Sequence, residues 1–356
     1  NSQSSGCEIR NSGGSIYLDG CNLDRCELFN KESPIDATNC KFVDFVTAEN
    51  GNASINFKGC NAGKVEAKNN DGSINVNDSS KFTTLNLKTK TGKLVIDNCT
   101  SEKTEANLKE SSVNLTNNKF LEHLKVTNKG GNIKITGCES LMVECSTTEE
   151  KIAIKDCAFK VSTLLKNSNG NILLENLYSN IVDSETKNAT TSICKAKLDG
   201  LKARNKNGVI EIEEITSSIT VLETSYSSIK LKGDNNNFKN LSFNSNNGTF
   251  VGNCKILEEI KGCSSGGLIS IERLEMGDIS RVYLYDSSII DVGLENFKGE
   301  LLIENQNGVN TIKNEKMDLV FEKENGGVLK GFVNGEKKLD QKVYLRSENT
   351  AINFKC

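Results

Sequence analysis

Apolar residues alternate with polar ones in short stretches that recur along the whole chain. Ile16-Tyr17-Leu18, Ile55-Asn56-Phe57, Ile133-Lys134-Ile135 and Ile152-Ala153-Ile154 each put an apolar side chain at every second position. Each is followed by two polar residues and a cysteine, as in Asp19-Gly20-Cys21 and Thr136-Gly137-Cys138. A period of two predicts a β-strand with one buried face. The second apolar position falls at 18, 37, 57, 76, 96, 115, 135, 154, 174, 193, 212, 231, 251 and 271, so every step is 19 or 20 residues. A second alternating stretch follows in most units, for example Val65-Glu66-Ala67, Leu85-Asn86-Leu87 and Leu124-Lys125-Val126.

Turn chemistry separates these stretches. Asn50-Gly51, Asn169-Gly170, Asn207-Gly208 and Asn247-Gly248 lie between units, and Asn and Gly tolerate the positive φ of a tight corner. The residue before the cysteine position is Gly, Asn or Asp in eleven of fourteen units: Gly20, Asn39, Gly59, Asp78, Asn98, Asn117, Gly137, Asp156, Asn176, Gly233 and Asn253. A fixed left-handed corner explains that choice.

Two short strands and their corners cannot bury an apolar face in 20 residues. Stacked copies can, each strand pairing with its equivalent one turn on. The expected fold is therefore all-β: a single parallel β-solenoid of about 17 rungs, right-handed by the crossover rule for parallel strands. Residues 1–12 are expected to hold a partial first rung, 13–307 the regular solenoid, and 308–356 irregular rungs or a cap. Ile290 and Val292 fall one residue out of phase, and Gly326 to Asn349 exceeds one rung.

The phrases Val65-Glu66-Ala67-Lys68-Asn69-Asn70-Asp71-Gly72-Ser73-Ile74 and Leu85-Asn86-Leu87-Lys88-Thr89-Lys90-Thr91-Gly92 resemble the bacterial DUF4097 adhesin-type repeat. The resemblance covers most of residues 13–310. It implies a surface-associated or secreted solenoid and brings no catalytic motif with it. The cysteines depart from that family's pattern.

Composition narrows the function. One histidine (His123) excludes histidine-containing triads and multi-histidine metal sites within one chain. A net charge of −3 gives no electrostatic case for nucleic acid. No apolar run approaches the roughly 18 residues of a membrane span. A mean hydropathy of −0.42 raises disorder as a reading, and the ordered spacing of the apolar residues excludes it. The 46 asparagines against 3 glutamines fit corners repeated every rung. The single proline, Pro34, fits strands that must donate to a ladder. The chain begins at Asn1 with neither methionine nor an apolar leader, as expected of a processed form.

Seven of the 13 cysteines share one place in the repeat: Cys21, Cys40, Cys60, Cys99, Cys138, Cys157 and Cys254. Other units put Ser79, Asn118, Leu177, Ala196, Ile215, Asp234 and Leu274 there. Two readings stand. In one, the cysteines are small apolar fillers of an interior ladder. In the other, neighbours such as Cys40 and Cys60 form disulfides between rungs. Paired metal-ligand spacing is missing, so neither metal nor cofactor is expected. Cys7 and Cys356 are candidates for a link between chains. Arg281, Tyr283 and Tyr285 alternate on one strand and form a candidate glycan patch. Acidic residues spread along the chain rather than clustering, which argues against a polysaccharide-active enzyme.

The function expected from these features is a non-enzymatic structural or adhesive protein of the cell surface or extracellular space. It would associate with copies of itself, end to end into filaments or laterally. The alternatives are a module binding a cell-surface glycan or receptor on one face, then a polysaccharide-active enzyme. An intracellular scaffold is the reading that reduced thiols would favour.

Overall fold

A computed structural model describes residues 3–4, 6–295, 297–306, 308–313, 319–325, 328–333, 340–348 and 351–355. They form strands and turns with no helix, and the parallel strands make about 14 turns of β-solenoid. The chain divides into two compact units, Asn1–Asn180 and Ile181–Cys356.

In the first unit a rung consists of a short strand, a corner, a longer strand and an Asn-led turn. One such rung runs Ile16–Asp19, Gly20-Cys21, Asn22–Asn30. The next runs Ile35–Thr38, Asn39-Cys40, Lys41–Asn50. Register is kept along the short strands, where Ile16, Ile35, Ile55 and Ile74 are successive partners, and the longer strands shift once near their start. Cys26, Val46, Val65 and Leu85 are successive partners too. All these side chains are buried, so the core is a set of continuous apolar columns.

The left-handed corner is present as expected. Gly20, Asn39, Gly59, Asp78, Asn98, Asn117, Gly137 and Asp156 all have φ between 51° and 64°. In the second unit Lys195 (φ 54°) and Glu214 (φ 52°) occupy the same corner. The winding of the chain imposes that conformation even where the residue does not favour it.

The second unit stacks Thr191–Cys194, Ile210–Glu213, Ser228–Lys232 and Thr249–Gly252 in parallel. One expected position moves here. Phe250 is buried while Val251 is 39% exposed, so the apolar phase slips by one residue in this rung. The preceding rung is longer, Ile229 pairing with Phe250, and Phe250 stacks on Phe243 at 3.7 Å between ring centroids. Gly262 makes room for it, because a Cβ there would lie 1.9 Å from the Phe243 ring. The left-handed residue of this corner is Gly252 rather than Asn253.

The largest departure from a simple stack lies near the end. Arg281–Tyr285 and Ile289–Glu295 make a rung. The strands that pair with them next are Lys342–Glu348 and Ala351–Lys355, not the following residues. Glu300–Gln306 and Val309–Lys313 then pair with the far side of Lys342–Glu348 and Ala351–Lys355. The last strands of the chain are thus threaded between two earlier segments. Glu300–Gln306 also pairs antiparallel with Val328–Val333, which pairs antiparallel with Leu319–Asn325. This meander, Leu319–Asn325 and Val328–Val333, leaves the parallel stack. Ile290 and Val292 are buried and pair with Ile269 and Ile271, so the phase break there is absorbed by a longer rung.

Candidate functional site

The corner position is where chemistry-bearing side chains concentrate. In the first unit the carbonyls of Cys21, Cys40, Cys60, Ser80, Cys99, Asn118 and Cys138 each accept the amide of the residue that follows the next rung's corner position. These residues therefore occupy one column with Cys157. Ser80, not Ser79, belongs to it, because both Asp78 and Ser79 are left-handed and the corner there is one residue longer. In the second unit Asn236, fully buried, replaces the expected Asp234, which is exposed.

Side chains in this column do more than fill space. Several reach back toward the preceding rung and accept its corner amide. Cys60 N donates to Ser80 Oγ (3.0 Å), Cys99 N to Asn118 Oδ1 (2.9 Å) and Cys138 N to Cys157 Sγ (3.4 Å). Most also donate to a carbonyl of their own strand end. Cys40 Sγ–H reaches Thr38 O (3.2 Å), Cys99 reaches Asp97 O (3.1 Å) and Cys157 reaches Lys155 O (3.1 Å). A thiol, a hydroxyl and an amide share this two-sided role, being both donors and acceptors. That explains why Cys, Ser and Asn interchange there.

The cysteines in the described residues are unbonded thiols. Burial pushes the Cys99 and Cys254 thiols up to about 12. Burial and the neighbouring Cys7 thiol push Cys26 up to about 12. Cys7 is the register partner of Cys26, within its own unit. Cys21 is half-buried and its thiol donates to Asp19 O at 3.6 Å. Cys356 lies outside the described residues.

A second polar column escaped the sequence reading. Asn30, Asn50, Asn69, Asn128 and Asn167 are buried at the ends of the longer strands. Asn69 shows its work: Nδ2 donates to Ala53 O (2.6 Å) and Ser73 O (3.2 Å), while Oδ1 accepts Gly72 N (3.0 Å). One side chain thus closes its own turn and ties it to the turn of the previous rung. The available signal was the spacing itself, an Asn three residues before the turn Gly in Asn69–Gly72, Asn128–Gly131 and Asn167–Gly170.

Arg281, Tyr283 and Tyr285 do share the outer face of Arg281–Tyr285. The threaded strand adds Tyr344 beside Tyr283, with ring centroids 6.4 Å apart in an edge arrangement. Lys261 Nζ sits 5.5 Å from the Tyr283 ring centroid, and Tyr344 OH donates to Glu304 at 2.6 Å. Burial and the Glu304 carboxylate push the Tyr344 hydroxyl pKa upward. A shallow groove of about 500 Å³ alongside is lined by Asn240, Glu258, Glu259, Ile279, Arg281 and Asp340. Hydrogen bonds from Lys239 and Asn240 hold the Glu258 carboxyl below its usual range. Among the described residues no three His, Cys, Asp or Glu side chains are placed to hold a metal ion. Among the described residues no helix is long and apolar enough to cross a membrane.

Two strand edges are open. Cys7–Asn11 pairs only with Asn22–Asn30, and Ile16–Asp19 only with Ile35–Thr38, among the described residues. Val309–Lys313 likewise pairs only with Ala351–Lys355. The antiparallel strand Val328–Val333 covers the outer edge of Glu300–Gln306.

No curated protein and no solved structure matches the chain. Residues 6–163 match the model of the Toastrack DUF4097 family, so the resemblance carried by the repeat is shown at the level of that repeat.

Proposed function

We propose that the chain is a non-enzymatic structural protein that joins copies of itself through its open strand edges, at the cell surface or outside the cell. A repeat-type structural role agrees with the Toastrack match and with a fold whose rungs serve one another. The place in the cell is carried by the family resemblance alone. The observation that carries assembly is the unpaired side of Cys7–Asn11 and Ile16–Asp19. A free parallel edge is a template for another strand, and two unlike edges give a contact that does not close on itself.

Tyr17 offers a clean test. Ile16 N donates to Pro34 O and Gly20 N to Thr38 O, so the alternation aims the Tyr17 amide at the open side. Tyr17→Pro removes that donor without touching the existing ladder. Sedimentation velocity over a wide concentration range should show the wild type growing in size, Tyr17→Ala doing the same, and Tyr17→Pro growing less. A wild type that stays monomeric at every concentration overturns the proposal.

A second reading rests on the Tyr283–Tyr344 pair beside a charged groove, an arrangement suited to a sugar ring. Glycan binding lost in Tyr344→Ala would support it, and an array without a hit would remove it.

A further inference from the structure

The tyrosine face carries a pair of cations that the fold places side by side. Glu259, Arg281, Lys342 and Glu300 are successive register partners across four strands. Two residues further along the same strands, Tyr283 and Tyr344 are partners in turn. Val282, Leu284, Val343 and Leu345 are buried, so the alternating residues between and beside them look outward, and Arg281 and Lys342 are both exposed. Arg281, Lys342, Tyr283 and Tyr344 therefore mark the corners of a rectangle of about 5 Å by about 7 Å, the spacing of adjacent strands and of alternate residues.

We propose that this rectangle binds an acidic saccharide, whose carboxylate or sulfate lies on Arg281 and Lys342 and whose ring packs on Tyr283 and Tyr344. Three observations carry the proposal. First, the carboxylates nearest the cations are engaged elsewhere. Glu259 pairs with Lys261 (3.0 Å), Glu300 pairs with Lys330 (3.1 Å), and Glu304 accepts the Tyr344 hydroxyl (2.6 Å). Among the described residues neither Arg281 nor Lys342 has an ion-pair partner. Like charges directly opposite on neighbouring strands destabilise a sheet, and an anion between them removes that cost. Second, the two cations suit one oxyanion. A guanidinium fork takes two oxygens of a carboxylate or sulfate, and the lysine adds a point charge beside it. Third, further cations border the rings. Lys261 Nζ lies 5.5 Å from the Tyr283 ring centroid, and Arg346, the partner of Tyr285, is held only by Glu348 at 3.9 Å. The remaining carboxylates, Glu258 and Asp340, line the groove that begins before Arg281 in the strand, on the side away from the tyrosines. The chain's net charge of −3 gives no general attraction for anions, so binding of one falls to this local cluster.

The inference rests on the sugar-binding reading of this face and narrows its ligand to an acidic one. The test applies the full chain to an array of matched oligosaccharides. Uronic-acid sugars stand beside their carboxyl-reduced forms, and sulfated sugars beside their desulfated forms. Charged members should bind about tenfold or more above their neutral counterparts, the worth of a charge-assisted hydrogen bond, and the set that does so tells carboxylate from sulfate. Arg281→Gln combined with Lys342→Gln should bring charged members down to the neutral level. Lys90→Gln combined with Lys93→Gln, in the other unit, should change nothing. The thermal midpoint of the first double variant should hold or rise, because a like-charge pair has gone, so its lost binding is not lost folding. Equal binding of charged and neutral members, or undiminished binding by the Arg281→Gln, Lys342→Gln variant, overturns the proposal and leaves the sugar reading standing. An array with no hit overturns both.

Discussion

The amide of Cys99 donates to the side-chain oxygen of Asn118, which lies one rung further on, at 2.9 Å. Asn118 Nδ2 donates in turn to Ile96 O at 2.8 Å, and the residue is 2% exposed. A residue chosen in one rung therefore closes the corner of the rung before it. Replacing Asn118 with Leu removes the acceptor of the buried Cys99 N–H and one donor to Ile96 O. By the cost of unsatisfied buried groups, Asn118→Leu should lose about 1–3 kcal/mol, and Asn118→Ser less, because a hydroxyl still accepts the amide. Urea unfolding of the two variants checks the order.

The buried thiols set a limit on the alkaline side. Cys99 and Cys254 titrate at about 12 when folded, against an ordinary value near 8.5. A raised folded pKa means that the unfolded chain loses its protons first as pH rises. The stabilising contribution is complete below about pH 8.5 and is lost as pH climbs toward 12, at about 1.4 kcal/mol per pH unit for each thiol. The urea midpoint should fall between about pH 8 and about pH 10, while alkylation of these thiols in the folded state stays slow. A midpoint unchanged over that span would contradict the assignment.

Asn69→Asp tests the second column. The carboxylate keeps an acceptor for Gly72 N but turns negative oxygens toward the carbonyls of Ala53 and Ser73, to which Nδ2 had donated. Losing two buried donations and burying a charge should cost about 2–4 kcal/mol at neutral pH. Part of the loss should return in acid, when the carboxyl carries a proton. Thermal unfolding at neutral and acid pH reads both effects.

Lys195 holds a left-handed corner at φ 54°, where a Cβ is unfavourable. Lys195→Gly should stabilise the chain by about 0.5–1 kcal/mol, the relief of the corner less the added chain entropy of glycine. Lys195→Val should destabilise it. A rise in the thermal midpoint for the first and a fall for the second are the expected outcomes.

The repeat and its parallel stacking were legible in the sequence because a period of two and a period of 19 or 20 residues are both written in apolar side chains. The left-handed corner was legible for the same reason at Asn39 and Gly59, but not at Lys195 or Glu214, where the winding overrides the residue's preference. The role of the corner cysteines was only half legible. Their burial follows from their apolar character. Their function as acceptors for the preceding rung depends on where the sulfur points, which spacing does not encode. Ser80 and Asn236 were assigned one and two residues early, since a longer corner leaves no mark on an apolar count. Threading of Lys342–Glu348 and Ala351–Lys355 between earlier strands was not legible at all. All these segments carry strand alternation, which does not encode the order in which like strands stack.

The central claim is that a polar corner side chain satisfies the corner amide of the rung before it, and amide hydrogen exchange at Cys99 tests it most directly. In the wild type that amide should be strongly protected. In Asn118→Leu it should exchange much faster, while the amide of Leu124, which lies in the strand after the corner, keeps its protection. Equal protection of Cys99 in both proteins, with the rest of the rung intact, would contradict the account.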